Sequence, residues 1–517
     1  MVAAAPAVLL CGDLDAVVGE GALGALVAGL RRQLPGVPIA LVPHLCGSRR
    51  GAEGSPLPVE AGTTRRVVVG CAQATARRQH LAARLQAAGV SAGGTAIVDL
   101  RAAEGSSDSA RLEQCVALLR AAASFVSCSD LEVPVRERTA LAATGVSRRR
   151  LFRGDLGRRP VAVWRADRCA SPVGCAACVL ACPQGALTGW SGGITIHAGR
   201  CTGCGVCVAA CPNQAFVLDA AALDAYGAAA AQLVDAVAGS ASVTGIAVVC
   251  QDSAAAPLVG EPWLPLRVPS LEMVSAGWML QLARAGADVR AVGCEEPACR
   301  ERGDTLERFV AQLDAALAPL GPIDVAGSSN RWSRAPQPDS PVERIELGEP
   351  EATAQALRAR GALETDSGPW RAGGPGCPLG VIEIDAAGCS ACGACILSCP
   401  TGALQSERLG SHQAGVSFDP NLCTACGACE RLCPESVVTL RHEADGAALA
   451  AGRRVVATVA MATCSACGGP LLAGLSPAVM QGRLGESHPA VSGVTTGVCA
   501  DCRLLAGRLP DQRVTHR

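Results

Sequence analysis

Four times along this chain, four closely spaced cysteines run into a proline. Cys201, Cys204, Cys207 and Cys211 follow C-x2-C-x2-C-x3-C and precede Pro212. The same spacing recurs at Cys389, Cys392, Cys395 and Cys399 before Pro400, and at Cys423, Cys426, Cys429 and Cys433 before Pro434. A further copy, Cys169, Cys175, Cys178 and Cys182 before Pro183, carries five residues in its first gap instead of two. These motifs take 16 of the 29 cysteines in 517 residues, arranged as two pairs. Zinc asks for four ligands in two knuckles, which is a different pattern.

Three cysteines in C-x2-C-x2-C can wrap a short loop around one iron–sulfur cubane, while the fourth, before the proline, is carried to the other cluster of the pair. The expected ligand sets are therefore crossed. Cys169, Cys175 and Cys178 join Cys211, and Cys201, Cys204 and Cys207 join Cys182. In the second pair, Cys389, Cys392 and Cys395 join Cys433, and Cys423, Cys426 and Cys429 join Cys399. Small residues such as Thr202, Gly203, Gly205, Ala391, Gly393, Ala425 and Gly427 fill the loops and let backbone N–H groups approach the sulfurs. Each half resembles the bacterial two-cluster ferredoxin module, which implies four [4Fe–4S] clusters.

The formal charge is −1, which excludes a generally basic nucleic-acid-binding surface. Four oxidised cubanes with their thiolates would add roughly −8, so a docking partner is expected to offer Arg or Lys. No stretch approaches the roughly 20 apolar residues of a membrane helix, and Met1–Pro6 has no cationic start. A cytoplasmic location follows as an expectation, and there so many thiols read as metal ligands or redox groups, not disulfides.

Around the motifs, apolar runs alternate with helical periodicity. In residues 1–128, strands are expected at Ala7–Leu10, Pro38–Val42, Val67–Val69 and Ala96–Val98, with helices at Gly24–Leu34, Ala74–Ala88 and Ala110–Phe125. This is the pattern of a parallel α/β sheet. Gly19, Gly21 and Gly24 match G-x-G-x-x-G by letter, but the run lies too far from the strand for a dinucleotide site, and the glycines read as a helix start. The segments Leu10-Cys11-Gly12, Leu34-Pro35-Gly36-Val37, Leu45-Cys46 and Val67-Val68-Val69-Gly70-Cys71 resemble the N-terminal domain of the FAD-carrying component of heterodisulfide reductase. The resemblance implies a further iron–sulfur cluster on Cys11, Cys46 and Cys71, with Cys115 as a candidate fourth ligand. The alternative is buried, inert thiols at strand ends. The flavin domain of that family is missing.

Residues 243–320 read as a second α/β unit, with strands at Gly245–Val249 and Val289–Val292 and helices at Ser270–Ala285 and Arg302–Leu317. Gly286-Ala287-Asp288, Gly293-Cys294 and Cys299 resemble the delta subunit of the methyl-viologen-reducing hydrogenase, a [2Fe–2S] protein. Cys250, Cys294 and Cys299 would be the remnant of that site, one ligand short of four. Residues 321–375 look like a flexible spacer interrupted by a short helix over Glu351–Arg360, and Cys377 reads as an isolated surface thiol. Near the end, Cys464-x2-Cys467 and Cys499-x2-Cys502 form two knuckles suited to tetrahedral zinc or to a single rubredoxin-like iron.

The chain contains no Walker loop, no G-x-S-x-G elbow, no H-E-x-x-H and no recognisable FAD or NAD site. Its expected architecture is multidomain α/β and α+β, with two ferredoxin-like dicluster modules set between small parallel α/β domains. The divisions fall at 1–150, 151–220, 221–325, a 326–375 linker, 376–445 and a 446–517 knuckle. The expected role is an electron-transfer iron–sulfur subunit with no bond-making catalytic residue. Its expected partners are a flavoprotein, hydrogenase or heterodisulfide-reductase-like subunits, or a soluble ferredoxin. A redox sensor or assembly scaffold, or a reductase with its own substrate site, are the alternative readings.

Overall fold

The computed structural model describes residues 6–47, 57–128, 137–139, 158–292, 324–325, 345–468, 498 and 502, with shorter gaps inside the longer stretches. A first sheet contains β1 (Ala7–Cys11), β2 (Ile39–Val42), β3 (Val67–Cys71) and β4 (Thr95–Asp99), all parallel in the order β2-β1-β3-β4. Every residue of β1 and of β3 is buried. Strands covered on both faces read as unbroken apolar runs, which is why Val67-Val68-Val69 carries no polar alternation. Gly70 in β3 lies so close to Leu10, Leu100 and Leu119 that a Cβ would come within 2.9–3.1 Å of their side chains. Glycine there lets α1 (Asp108–Cys128) settle onto the sheet. Gly19, at φ +97°, ends one short helix, and the next begins at Leu23. The G-x-G-x-x-G letters thus span a helix–helix corner.

The second sheet is also parallel, in the order β6-β5-β7-β8, with β5 (Gly245–Cys250), β6 (Trp263–Val268), β7 (Asp288–Val292) and β8 (Asp324–Val325). The expected helix from Ser270 begins only at Ala276; Ser270 itself is buried just past the end of β6. The expected helix Arg302–Leu317 lies outside the described residues. The sheets are joined back to back by α1 and α2 (Leu223–Gly239), with Arg120 donating to the Gln232 amide oxygen at 2.6 Å. Alanines 228–231 are buried on α2. Tyr226 stacks between Phe125 and Trp278, at ring-centroid distances of 5.0 and 5.7 Å.

The first ferredoxin-like module lies between these units in the order of the chain. Val163–Trp164 pairs antiparallel with Phe216–Val217, Leu187–Trp190 pairs with Gly193–Ile196, and short helices occupy Ala177–Ala181 and Val206–Ala210. The second module repeats the plan. Val381–Ile384 pairs with Val438–Arg441, Leu404–Arg408 with Gln413–Phe418, and helices fill Ala394–Leu397 and Ala428–Arg431. A strand over Arg454–Ala460 then adds to Gln413–Phe418, so residues expected with the C-terminal knuckle complete this sheet.

The 326–375 stretch is not a plain spacer where it is described. Ile345, Leu347, Ala354, Leu357 and Trp370 are buried, and they belong to the core shared by both parallel sheets and the first module. Gln214 donates to the Leu347 carbonyl and Gln281 to the Thr353 hydroxyl. Few apolar residues suffice there because each inserts singly into a core made by other elements. No helix of the described residues is long and apolar enough to cross a membrane.

A candidate array of cysteine-bound metal centres

The three regular motifs share one backbone device. The residue before the second cysteine has positive φ at Gly203 (67°), Ala391 (52°) and Ala425 (52°), and the residue after it does so at Gly205 (87°), Gly393 (75°) and Gly427 (70°). Such left-handed turns curl the loop so that its amides face inward. Backbone N–H groups already point at sulfur: Ala186 to Cys182 Sγ at 3.3 Å, Ala215 to Cys211 Sγ at 3.2 Å, and Ala391 to Cys389 Sγ at 3.4 Å. Donors to thiolate sulfur stabilise its negative charge, so the chain fits an iron–sulfur centre at these sites.

Gly205 permits a test. It lies at φ +87°, and a Cβ would stand 2.7 Å from Met273 Cβ and 2.9 Å from Leu218 Cδ1. Gly393 has the same conformation with nothing within 4 Å. A left-handed non-glycine residue costs about 1–2 kcal/mol, and overpacking adds about 1–3 kcal/mol. Gly205→Ala is expected to lower bound iron by about four atoms per chain, whereas Gly393→Ala should retain it; iron analysis of both variants checks this.

Burial sets the protonation of the metal-free thiols. It is the largest cause pushing Cys178 up to about 12, with the charges of Cys211, Cys175 and Cys169 adding to it. Burial likewise lifts Cys423 to about 12, helped by Cys426, Cys429 and Cys399, and Cys395 to about 11, helped by Cys389, Cys392 and Cys433. Cys207 is raised by burial first, then by Cys204, Cys201, Cys178 and Cys182. These neighbours are the members of the crossed sets, with Cys178 reaching Cys207 from the adjoining one. Cys175 is raised by burial and also by Cys426, a cysteine of the other module. The two modules therefore turn one motif each toward the other. The chain packing agrees: Leu379 belongs to the shared core, and Gly380 beside it presses on Ala425 between Cys423 and Cys426. At the outer end, Cys392 is exposed and Leu397 is 81% exposed.

The N-terminal cysteines converge. The sulfurs of Cys11, Cys46 and Cys71 lie within 4.8 Å of one another and are all buried. Cys115 is buried in the same core and is not one of this close group of three. The hydrogen bond that Cys71 donates lowers Cys11 to about 6, and the same bond is the largest cause raising Cys71 above its ordinary value. The Asp13 carboxylate lies 3.9 Å from Cys11 Sγ and 3.7 Å from Cys46 Sγ, and its other oxygen is 2.8 Å from His44 Nδ1. Asp13 and His44 escaped the sequence reading. Their one signal is position, each standing two residues from a cysteine.

At the C-terminus, Cys464, Cys467 and Cys502 gather within 4.8 Å, and Gly468 at φ +71° turns the first knuckle. Cys499 lies outside the described residues, as do Cys294 and Cys299. Cys250 is buried at the end of β5, its thiol 3.6 Å from the Pro269 carbonyl. Cys377 is no surface thiol: it is 3% exposed, packed in the shared core under Ala372, and burial pushes it up to about 11.

Comparison with known families matches the 4Fe-4S dicluster domain at residues 168–215 and again at 388–437. No curated protein matches the chain. The two matched stretches are the two folded modules with all sixteen motif cysteines, and they make the chain an iron–sulfur protein with two ferredoxin-like 4Fe-4S dicluster domains.

Proposed function

We propose that this chain is an electron-transfer subunit that relays single electrons along four [4Fe–4S] clusters within an oxidoreductase complex. The observation that carries this reading is the packing between the modules, where Leu379 enters the core shared with the first module and Gly380 beside it lies against Ala425 of the Cys423–Cys426 loop, because it supports a continuous order of four ligand groups. Cys389, Cys392, Cys395 and Cys433 would hold the outer cluster of the second module, and Cys423, Cys426, Cys429 and Cys399 its inner one. Cys169, Cys175, Cys178 and Cys211 would hold the facing cluster of the first module, followed by Cys201, Cys204, Cys207 and Cys182. Each cluster, when bound, supplies a site that accepts and returns one electron.

The chain's own residues position and insulate these sites. Buried Cys207, Phe216, Leu218 and Met273 keep water from the inner end, while exposed Cys392 and Leu397 open the other end to a partner. The acidic clusters favour a partner surface bearing Arg or Lys. Flavoprotein, hydrogenase or heterodisulfide-reductase-like subunits, or a soluble ferredoxin, fit that requirement, and the sequence likenesses of the flanking domains favour the first three. The C-terminal group of Cys464, Cys467 and Cys502, with Cys499, would hold one zinc ion as a fold-stabilising knuckle.

Anaerobic affinity purification from the native host tests the role. Co-purifying flavoprotein or hydrogenase-type subunits are expected. A lone, flavin-free chain that no such subunit reduces would overturn it.

A further inference from the structure

The two α/β units put their functional potential at the carboxyl ends of their strands, where open parallel sheets bind ligands. In the first sheet, with order β2-β1-β3-β4, the chain leaves β1 toward one side for β2 and returns past β1 to β3 on the other. The crevice between the ends of β1 and β3 is therefore the topological switch point. Cys11 is the last residue of β1 and Cys71 the last of β3. Cys46 arrives from the turn after β2, and Asp13 from the turn after β1.

The spacing of these groups discriminates between metal centres. Thiolates on a cubane leave different irons and stand roughly 6 Å apart. Thiolates on one tetrahedral ion, with bonds of about 2.3 Å, stand about 3.8 Å apart. Cys11 and Cys46 are 3.8 Å apart, and all three sulfurs lie within 4.8 Å. The chain supplies its own control. All sixteen motif cysteines are described, yet none of them forms a group this tight; the described residues do so only here and at Cys464, Cys467 and Cys502.

We propose that Cys11, Cys46, Cys71 and Asp13 bind a single zinc-class divalent cation, and that the first α/β domain carries a mononuclear S3O centre in place of a fifth cluster. Asp13 stands 3.7–3.9 Å from the sulfurs of Cys11 and Cys46, on the side away from Cys71 and outside the 4.8 Å group of three, from which it would close on the ion as the fourth ligand. His44, at φ +48°, adopts a left-handed conformation that a non-glycine residue seldom takes, and from it holds the far oxygen of Asp13 at 2.8 Å. A metal-bound carboxylate oriented by imidazole is a recurring outer-shell arrangement. The Gln73 N–H adds a bond to Cys71 Sγ at 3.3 Å. Three thiolates and one carboxylate leave the centre at −2 with a divalent ion, and Arg101 lies near enough to Cys71 to feel its charge. None of this depends on the electron-relay reading.

The test is metal and sulfide analysis of the full-length chain purified anaerobically. Cys46→Ser is expected to remove one zinc per chain and leave iron and sulfide unchanged. His44→Ala, whose core is intact, should still bind zinc but release it to a chelator with 10–100-fold weaker affinity. Zinc-edge X-ray absorption of a Cys467→Ser variant, which disables the C-terminal knuckle, should then show three sulfur ligands and one oxygen. A loss of about four iron and four sulfide in Cys46→Ser would show a cubane and overturn the proposal. Unchanged zinc in Cys46→Ser, an unaltered affinity in His44→Ala, or an all-sulfur zinc environment would overturn it equally.

Discussion

Replacing Cys182 by Ala is expected to cost the chain one cluster, and the cluster lost is not the one its own motif wraps. Four cubanes predict about 16 iron and 16 acid-labile sulfide per chain, and crossed ligation gives Cys182 to the set of Cys201, Cys204 and Cys207. The structure brings the Cys182 charge to bear on Cys207, and Ala186 donates its N–H to Cys182 Sγ. The combined variants decide the matter. Cys182→Ala with Cys207→Ala should lose no more iron than either alone, because both act on one cluster. Cys182→Ala with Cys178→Ala should lose the sum, about eight iron, because they act on two. The opposite pattern of additivity would show that each motif holds its own cluster.

The second large effect is structural. Tyr226, 1% exposed and the single tyrosine of the chain, fills the junction at which both parallel sheets meet, between Phe125 of α1 and Trp278 of the helix Ala276–Arg284. Truncating a buried aromatic side chain costs about 3–5 kcal/mol, and an edge-to-face pair adds about 0.5–1.5 kcal/mol beyond area. Tyr226→Ala should therefore lower the opening free energy of amides in α1 and α2 together, measured by hydrogen exchange. The facing strands Gln413–Phe418 and Arg454–Ala460, which have their own core with Phe418 and Val416, should be unaffected. A change below about 1 kcal/mol in α1 would show that the helices carry the junction without the ring.

Much of the first sheet was legible because buried parallel strands are continuous apolar runs, and Ala7–Cys11 and Val67–Cys71 are such runs. The strand Trp263–Val268 was not. Pro265 and Arg267 break its apolar pattern, and both have a structural reason. This is the edge strand of its sheet, where a proline's missing donor is tolerated. Arg267 is half-buried within reach of the Asp99 charge, itself clamped by Arg101 at 2.8 Å. The cysteine motifs were legible to the residue, since their spacing is dictated by the loop that encloses a cluster. Asp13 and His44 were not, because their partnership with Cys11 and Cys46 exists only once β1 and β2 lie side by side. Cys377 misled for a related cause: standing alone in the sequence it read as a surface thiol, yet it packs beside Ala372 in the shared core.

The central claim, a line of four one-electron sites, is tested most directly by anaerobic reductive titration of the full-length chain, with a strong reductant such as a europium(II) chelate and detection by electron paramagnetic resonance. The account predicts uptake of about four electrons per chain, with the spectra of neighbouring clusters broadened by magnetic interaction between the two modules as well as within each module. Uptake of two electrons or fewer, or four signals that never interact between modules, would contradict it.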